Sequence, residues 1–433
     1  MSWVKTDYAG WGRALRATGD VARPESRADL AALAACPAPA MGMRRSYGDA
    51  ALNSGGRAVD MSRFDRLLGF DPDTGLLTVE AGARIGDIAT AFAPRGWMPA
   101  VMPGTGFATV GGCIGQDVHG KNHHNAGSFG QHLAEVTLVQ NGTEVTATPG
   151  MALFKATMGG LGQTGLITRA TLRMKRCKGD LMLVTERRAT DWDAHLALLD
   201  GSSASYTVGW IDATATGPDM GRGIVEEGEN TAGLMKRRRG AHRVPLNAPH
   251  FALASPVVRA FNWAYFHRVP AHGRTLVRPL EAFFFPLDKI HDWNRLYGQR
   301  GFHQFQCVVP LGAASALKAM LGEIAGSGLA SPLAVLKRMG PGRAGYLSFP
   351  MEGYTLAIDF PNRAEARALI RRLEAMTAEA GGRLYFAKDS LAKGAAIRAM
   401  YPELENWQAE VAKADPQGAL ATDLVRRLNL RTA

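Results

Sequence analysis

Hydrophobic and polar positions alternate over short stretches through the first 178 residues. Leu76-Leu77-Thr78-Val79-Glu80-Ala81 reads as a strand, Ile85–Ala93 as a short helix, and Ala134–Gln140 as a strand entering a hairpin at Asn141-Gly142. Alternation returns over Ile167–Met174, behind the glycine-rich run Gly159-Gly160-Leu161-Gly162-Gln163-Thr164-Gly165. Such a run is either a loop feeding a strand beside a ligand or an ordinary turn. The pattern is α+β, not a regular βαβ repeat. No early strand leads through G-x-G-x-x-G into a helix, which disfavours a doubly wound dinucleotide fold.

From about 180 to 380 the pattern changes. Residues 214–248, rich in Gly, Glu and Arg, lack apolar periodicity and read as a long mobile loop carrying Lys236-Arg237-Arg238-Arg239. Aromatic residues then crowd Phe251–Tyr265 and Phe283-Phe284-Phe285-Pro286-Leu287. Most of these suit core packing, while an exposed fraction would suit a lipid tail or membrane surface. Phe302–Pro310 and Tyr354–Phe360 predict strands, the first with Gln304 and Gln306 on one face and Phe305 and Cys307 on the other. Asn362 as N-cap, Glu365 as its capping-box partner, the stripe Ile370, Leu373, Met376 and the stop Gly381-Gly382 predict a helix. Two strands followed by an amphipathic helix suggest a second α+β domain, a sheet covered by helices.

Composition narrows the class. The 433 residues, 46% hydrophobic and 21% charged, suit a globular protein of two or three domains. No apolar run reaches the ~18 residues of a membrane span, and no signal peptide is visible, so the cytoplasm is the expected compartment. Cys36, Cys113, Cys177 and Cys307 lack the spacing of a zinc site or disulfide framework. A net charge of +11 favours an anionic partner: a phosphorylated substrate, an anionic lipid surface or nucleic acid. Nucleic acid is the weakest of the three, because no recognition motif accompanies the charge.

The densest chemistry lies at 103–124. Gly104, Gly106, Gly111, Gly112, Gly115 and Gly120 crowd too closely for a regular element, so the backbone there turns sharply or approaches a flat, bulky ligand. The run ends in His119, Lys121, His123 and His124, without the carboxylate or cysteine partners a metal would need. Lys121 is either a charge-stabilising residue or simply exposed. Met41–Ala50, with Gly42, Arg45, Ser46 and Gly48, suits either an anion-binding nest or a plain turn. Lys388, among Tyr385, Phe386 and Asp389, is either a lysine with a shifted pKa acting on substrate or half of a surface pair with Asp389.

Taken together, Arg45-Ser46-Tyr47-Gly48-Asp49, Pro103-Gly104-Thr105 through Gly111-Gly112, Asp117 to His124 and Ala387-Lys388-Asp389-Ser390 resemble the decaprenylphosphoryl-ribose 2′-oxidase family of the vanillyl-alcohol-oxidase (PCMH-type) FAD superfamily. The match continues through Gln304-Phe305-Gln306, Leu347-Ser348-Phe349-Pro350, Asp359-Phe360-Pro361 and Met400-Tyr401-Pro402. The resemblance implies a two-domain fold: an FAD domain over 1–178, an inserted antiparallel-sheet substrate domain covered by helices over 179–382, and a segment 383–433 returning to the FAD domain. It implies that Gly42, Arg45, Ser46, Tyr47, Gly48 and Asp49 wrap the FAD pyrophosphate. Gly104, Thr109, Val110, Gly111, Gly112, Gln116, Asp117, Val118, His119, Ile167 and Tyr385 would line the flavin. Lys121, Gln304, Gln306, Lys337, Lys388 and Tyr47 would face the sugar phosphate, with Lys388, or second to it Tyr47, as catalytic base.

The implied reaction oxidises the 2′-hydroxyl of a polyprenyl-phosphoryl ribose to the 2′-keto form in cell-wall polysaccharide synthesis, a short-chain dehydrogenase partner completing the epimerisation. An aldonolactone or alditol oxidase such as D-arabinono-1,4-lactone oxidase, passing electrons to oxygen, is the alternative. Peripheral membrane contact at the inner face would rest on Lys236–Arg239 and the aromatic 251–266 region. Three departures matter. Arg45 stands where covalent members often carry a flavin-linking histidine, so the FAD should be non-covalent. Arg44 replaces a usual glycine, and Ala357 replaces a cysteine that nitroaromatic inhibitors attack in other members, so this chain should resist covalent capture.

Overall fold

The computed structural model describes residues 2–33, 36–235, 240–329 and 331–431. Asn141 and Gly142 adopt φ of 47° and 79°, the left-handed pair of a type I′ hairpin whose twist matches its strands. That hairpin joins Leu133–Gln140 to Thr143–Ala147 at one side of a sheet ordered Leu67–Asp71, Leu76–Glu80, Leu166–Arg176, Leu133–Gln140, Thr143–Ala147. Its inward residues Leu77, Val79, Val136, Leu138, Ala170 and Leu172 are buried, as period-two alternation requires. Against them packs the helix Ile85–Phe92, whose buried Ile85, Ile88, Ala89 and Phe92 fall at the i, i+3, i+4, i+7 spacing of one helical face. Burying each large side chain stabilises by about 1.5–3 kcal/mol.

A four-stranded sheet, ordered Val4–Ala9, Arg16–Ala22, Arg57–Asp60, Ala40–Met41, delivers its last strand directly into the 42–50 loop.

The largest sheet has eight antiparallel strands in the order Arg274–Pro279, Leu181–Ala189, Gly223–Thr231, Tyr206–Ile211, Ala334–Met339, Gly353–Pro361, Phe302–Val309, Arg383–Leu384. One face carries Phe305, Cys307, Leu336, Leu356 and Ile358, all buried in a single core with residues of the helices Trp192–Asp200, Ala314–Ser327 and Ala364–Glu379. The opposite face is polar and faces a cavity. Among the described residues no helix is long and apolar enough to cross a membrane.

Three expectations fail, one of them that the glycine-dense run 103–120 holds no regular element: Val110–Gly115 is a short helix containing Gly111, Gly112 and Gly115. Residues 214–248 are not one loop, because Gly223–Thr231 is an interior strand paired on both sides. Its glutamates hid it: Glu226 faces Arg278, Arg268 and Lys121, so a polar residue occupies a partnered position. Lys236–Arg239 lies outside the described residues. Asn362 is not a helix cap, since Arg363 holds that position without a side-chain bond. The Asn362 amide is taken by His303 at 3.0 Å, Arg367 at 2.8 Å and the Arg300 carbonyl at 3.1 Å. The stop at Gly381, φ 68°, is as expected.

Candidate active site

A cavity of about 1760 Å³ lies between the glycine-rich segments and the polar face of the eight-stranded sheet. Pockets for drug-sized ligands run to roughly 300–1,000 Å³, so this one has room for a dinucleotide and a second molecule.

One wall is bare backbone. A Cβ on Gly104 would meet no atom within 4 Å, since Gly104 borders open cavity. A Cβ on Gly42 would overlap the Thr109 hydroxyl, and one on Gly106 would come within 2.8 Å of the Gly86 Cα. Thr109 Oγ1 accepts from the Gly112 N–H at 3.2 Å and so caps the N-terminus of the helix Val110–Gly115. Asp288, from a distant segment, pins the same loop: its oxygens accept from Thr105 Oγ1 at 2.7 Å and the Gly106 N–H at 2.6 Å. Beside it Arg45 is sandwiched between the rings of Trp11 and Phe107, 3.9 and 4.5 Å away. Its Nε is buried without a partner among the described residues, and burial lowers its pKa while Asp288 opposes the shift. The preceding Arg44 sits at φ 50°, so the backbone keeps the left-handed turn that glycine would favour.

The facing wall is built by strand register. Gln304 pairs with Asp359, Gln306 with Ala357, Ala357 with Val335 and Thr355 with Lys337, and cross-strand partners share a face. The turn after Arg383–Leu384 brings Lys388 to this wall, its Nζ 3.6 Å above the centre of the Tyr47 ring. Asp359 is fully buried and accepts from Gln304 and from the Tyr297 hydroxyl, the latter at 3.1 Å, with no cation in ion-pair distance among the described residues. Burial raises its carboxyl, and burial lowers the Lys388 amine against the pull of Asp359. A buried amine and a buried carboxyl are thus both drawn toward neutrality, as suits a site that must accept and hold a proton.

A second cluster lies alongside. Gln306 Nε2 donates to His119 Nε2 and to Thr355 Oγ1, each at 3.2 Å. His119 Nδ1 lies 3.1 Å from Lys337 Nζ. Both contacts are satisfied together if the imidazole carries its proton on Nδ1 and gives it to an uncharged Lys337 amine. Burial holds His119 well below its usual pKa and brings Lys337 down to about 7.

The sequence-derived residues divide into two groups. Gly42, Arg45, Ser46, Tyr47, Gly104, Thr109, Gly111, Gly112, Gln116, Val118, His119, Ile167 and Tyr385 line the cavity, as do Lys121, Gln304, Gln306, Lys337 and Lys388. Gly48, Asp49, Val110 and Asp117 lie behind the wall. Asp49 is committed to Arg427 at 2.7 and 2.8 Å. Asp117, completely buried, accepts from the Gly130 and Ala344 amides and the Ser348 hydroxyl. Gly48 abuts the Asp389 carbonyl, leaving no room for a side chain. Lys121 is engaged by the protein itself: its Nζ donates to the Phe283 carbonyl at 2.6 Å and lies 3.8 Å from Glu226. Lys388 forms no surface pair with Asp389, whose Oδ2 accepts instead from Arg427 at 2.9 Å. His123 and His124 meet the Gly340 amide and the Ala204 carbonyl. No three His, Cys, Asp or Glu side chains cluster for a metal among the described residues. Sequence reasoning missed Asp359, although a single charge in the apolar strand Tyr354–Phe360 was a signal; Asp288 left none.

The bare backbone at Gly104, the orphaned Arg45 Nε and the size of the cavity fit FAD. Residues 20–148 match the family of FAD binding domains. The α+β fold and this site therefore define an FAD-dependent oxidoreductase with a PCMH-type FAD fold. A decaprenylphosphoryl-β-D-ribose oxidase of Mycolicibacterium smegmatis is 38% identical over 410 residues, 90% of this chain and 89% of that protein. An uncharacterized Streptomyces coelicolor protein is 34% identical over 365 residues, 79% of this chain and 99% of that one. A D-lactate dehydrogenase of Anaerostipes hadrus is 26% identical over 135 residues, 29% of this chain and 28% of the other. The chain belongs to the decaprenylphosphoryl-β-D-ribose oxidase family.

Proposed function

We propose that this protein oxidises the 2′-hydroxyl of a polyprenyl-phosphoryl ribose to the 2′-keto sugar, with residues 1–178 and 383–433 forming the FAD domain and 179–382 the substrate domain. The observation that carries this reading is the placement of a buried amine, Lys388, and a buried carboxyl, Asp359, on one wall of a cavity whose facing wall is side-chain-free glycine backbone. Bound FAD supplies the acceptor for the hydride that leaves the carbon. Lys388 in its uncharged form takes the hydroxyl proton, and the Asp359 carboxylate stabilises the amine once charged. Tyr47 forms the floor beneath Lys388, and burial pushes its own hydroxyl pKa up, which ranks it second as base. Gln304, Gln306 and Lys337 orient the sugar phosphate. Lys121 shapes that end of the cavity through its bond to the Phe283 carbonyl. Arg45, whose buried Nε has no partner among the described residues, would hold the anionic part of the cofactor. An arginine there offers no nucleophile for a flavin link, so the FAD is held non-covalently. The keto product calls for a reductase, a short-chain dehydrogenase, to complete an epimerisation.

The test is substrate class. Lipid-linked ribose phosphates should reduce the flavin anaerobically, and free polyols should not. Hydrogen peroxide formed from soluble polyols or aldonolactones would instead identify an aldonolactone or alditol oxidase.

A further inference from the structure

From Asn230 to Leu280 the chain contains no aspartate or glutamate, yet it carries nine of the protein's 50 lysines and arginines. Four of those nine are Lys236–Arg239, outside the described residues; the other five are Arg243, Arg259, Arg268, Arg274 and Arg278. The carboxylates within ion-pair distance of these five are Glu186, Glu226 and Asp292, so cations remain in surplus even without the Lys236–Arg239 run. The same stretch holds seven of the thirteen exposed large hydrophobic side chains among the described residues. Phe251 is 72% exposed and Trp263 58%.

The helix Ser255–His267 has two working sides. Val258, Asn262 and Phe266 are buried, with Phe266 and Tyr265 packed against Ile224 and Trp210 on the cavity face of the sheet. Val257, Phe261 and Trp263 are exposed, with Arg259 among them and no acidic residue beside them on the helix. Tyr265, Arg268 and Arg278 of this stretch also line the cavity. One segment therefore walls the cavity on one side and presents apolar and cationic groups to solvent on the other. Exposed aromatic residues set around Arg259, which has no ion pair among the described residues, on a stretch that carries no carboxylate of its own, fit one partner, the headgroup region of an anionic bilayer.

We infer that the 240–280 segment docks the enzyme on an anionic membrane surface, with the cavity mouth beside the bilayer. This deepens the lipid-substrate reading and rests on it for its purpose. A substrate with a long hydrocarbon tail could then present its sugar to Lys388 without leaving the membrane.

Flotation of the FAD-loaded protein tests the inference, using vesicles of phosphatidylcholine alone and vesicles in which about a quarter of the lipid is phosphatidylglycerol. Neither contains a sugar lipid, so the result does not depend on which substrate is oxidised. The protein should float with the anionic vesicles only, and the Trp263 emission should shift to the blue on binding. Phe261→Ser with Trp263→Ser, and separately Arg259→Glu, should reduce flotation about tenfold or more while flavin content stays at the wild-type level. Failure of the wild type to float with anionic vesicles, equal flotation with neutral ones, or full flotation of the double variant would each overturn it. Loss of docking with intact turnover of a short, water-soluble prenyl-phosphoryl ribose would leave the chemistry standing and remove only the surface.

Discussion

Replacing Arg427 with methionine should destabilise the protein and loosen its flavin together. The Arg427 guanidinium donates to both Asp49 oxygens at 2.7 and 2.8 Å, to Asp389 at 2.9 Å and to the Ala392 carbonyl at 2.6 Å. Both carboxylates are nearly inaccessible, with side chains only 6% and 4% exposed. Asp389 would keep its bonds from the Leu391 and Ala392 amides, but Asp49 would lose the one counter-charge it has among the described residues. Removing one partner of such a buried pair costs about 3–5 kcal/mol, a large share of a total stability of about 5–15 kcal/mol. The Tyr47 amide bonds the Ala387 carbonyl at 2.7 Å, so the clamp also sets the spacing between the Arg45 loop and Lys388. Urea unfolding followed by circular dichroism and by flavin fluorescence measures both effects. Asp49→Asn in the Arg427→Met background should recover part of the loss, because a neutral amide leaves no stranded charge. Arg372→Met, which disrupts an exposed pair with Glu323, should cost less than about 1 kcal/mol. A loss at Arg427 no larger than at Arg372, or no recovery in the double variant, would refute the reasoning.

Other consequences can be measured separately. Gly104→Leu puts a side chain into open cavity without a clash in the fold, so FAD content should collapse while the circular dichroism spectrum is retained. Asp359→Asn removes the carboxylate that raises the Lys388 pKa, so the rising limb of flavin reduction against pH should move to lower pH; an unmoved limb would dissociate the two groups. Glu374 is buried, and burial with Asp389 nearby lifts its pKa from 4.5 to about 8. The folded protein therefore holds a proton that the unfolded chain sheds above pH 4.5, and stability falls as pH rises from 4.5 toward 8, at most about 1.4 kcal/mol per pH unit. Glu374→Gln should flatten that slope in denaturation across this range.

What could be read from the sequence follows the range of the forces involved. The hairpin at Asn141-Gly142, the helix from Ile85 and the two faces of Phe302–Val309 depend on neighbours within a few residues, and each formed where its pattern placed it. Gly223–Thr231 escaped because Glu226 gains its cationic partners from elements 42 to 105 residues away, and composition alone reads such a strand as loop. Asp49 pointed to the cofactor for the same reason: its true partner stands 378 residues later. Glycine-dense 103–120 and Lys388 were visible as unusual chemistry, yet the register that sets Asp359 opposite Gln304 belongs to the folded sheet.

The most direct measurement mixes oxygen-free enzyme with a polyprenyl-phosphoryl ribose and follows the flavin absorbance in the wild type and in Lys388→Met. Rapid bleaching in the wild type, with the variant still yellow and its flavin unreduced, is the expected result. A colourless protein that cannot be reconstituted with FAD, or a variant that bleaches at the wild-type rate, would contradict the account.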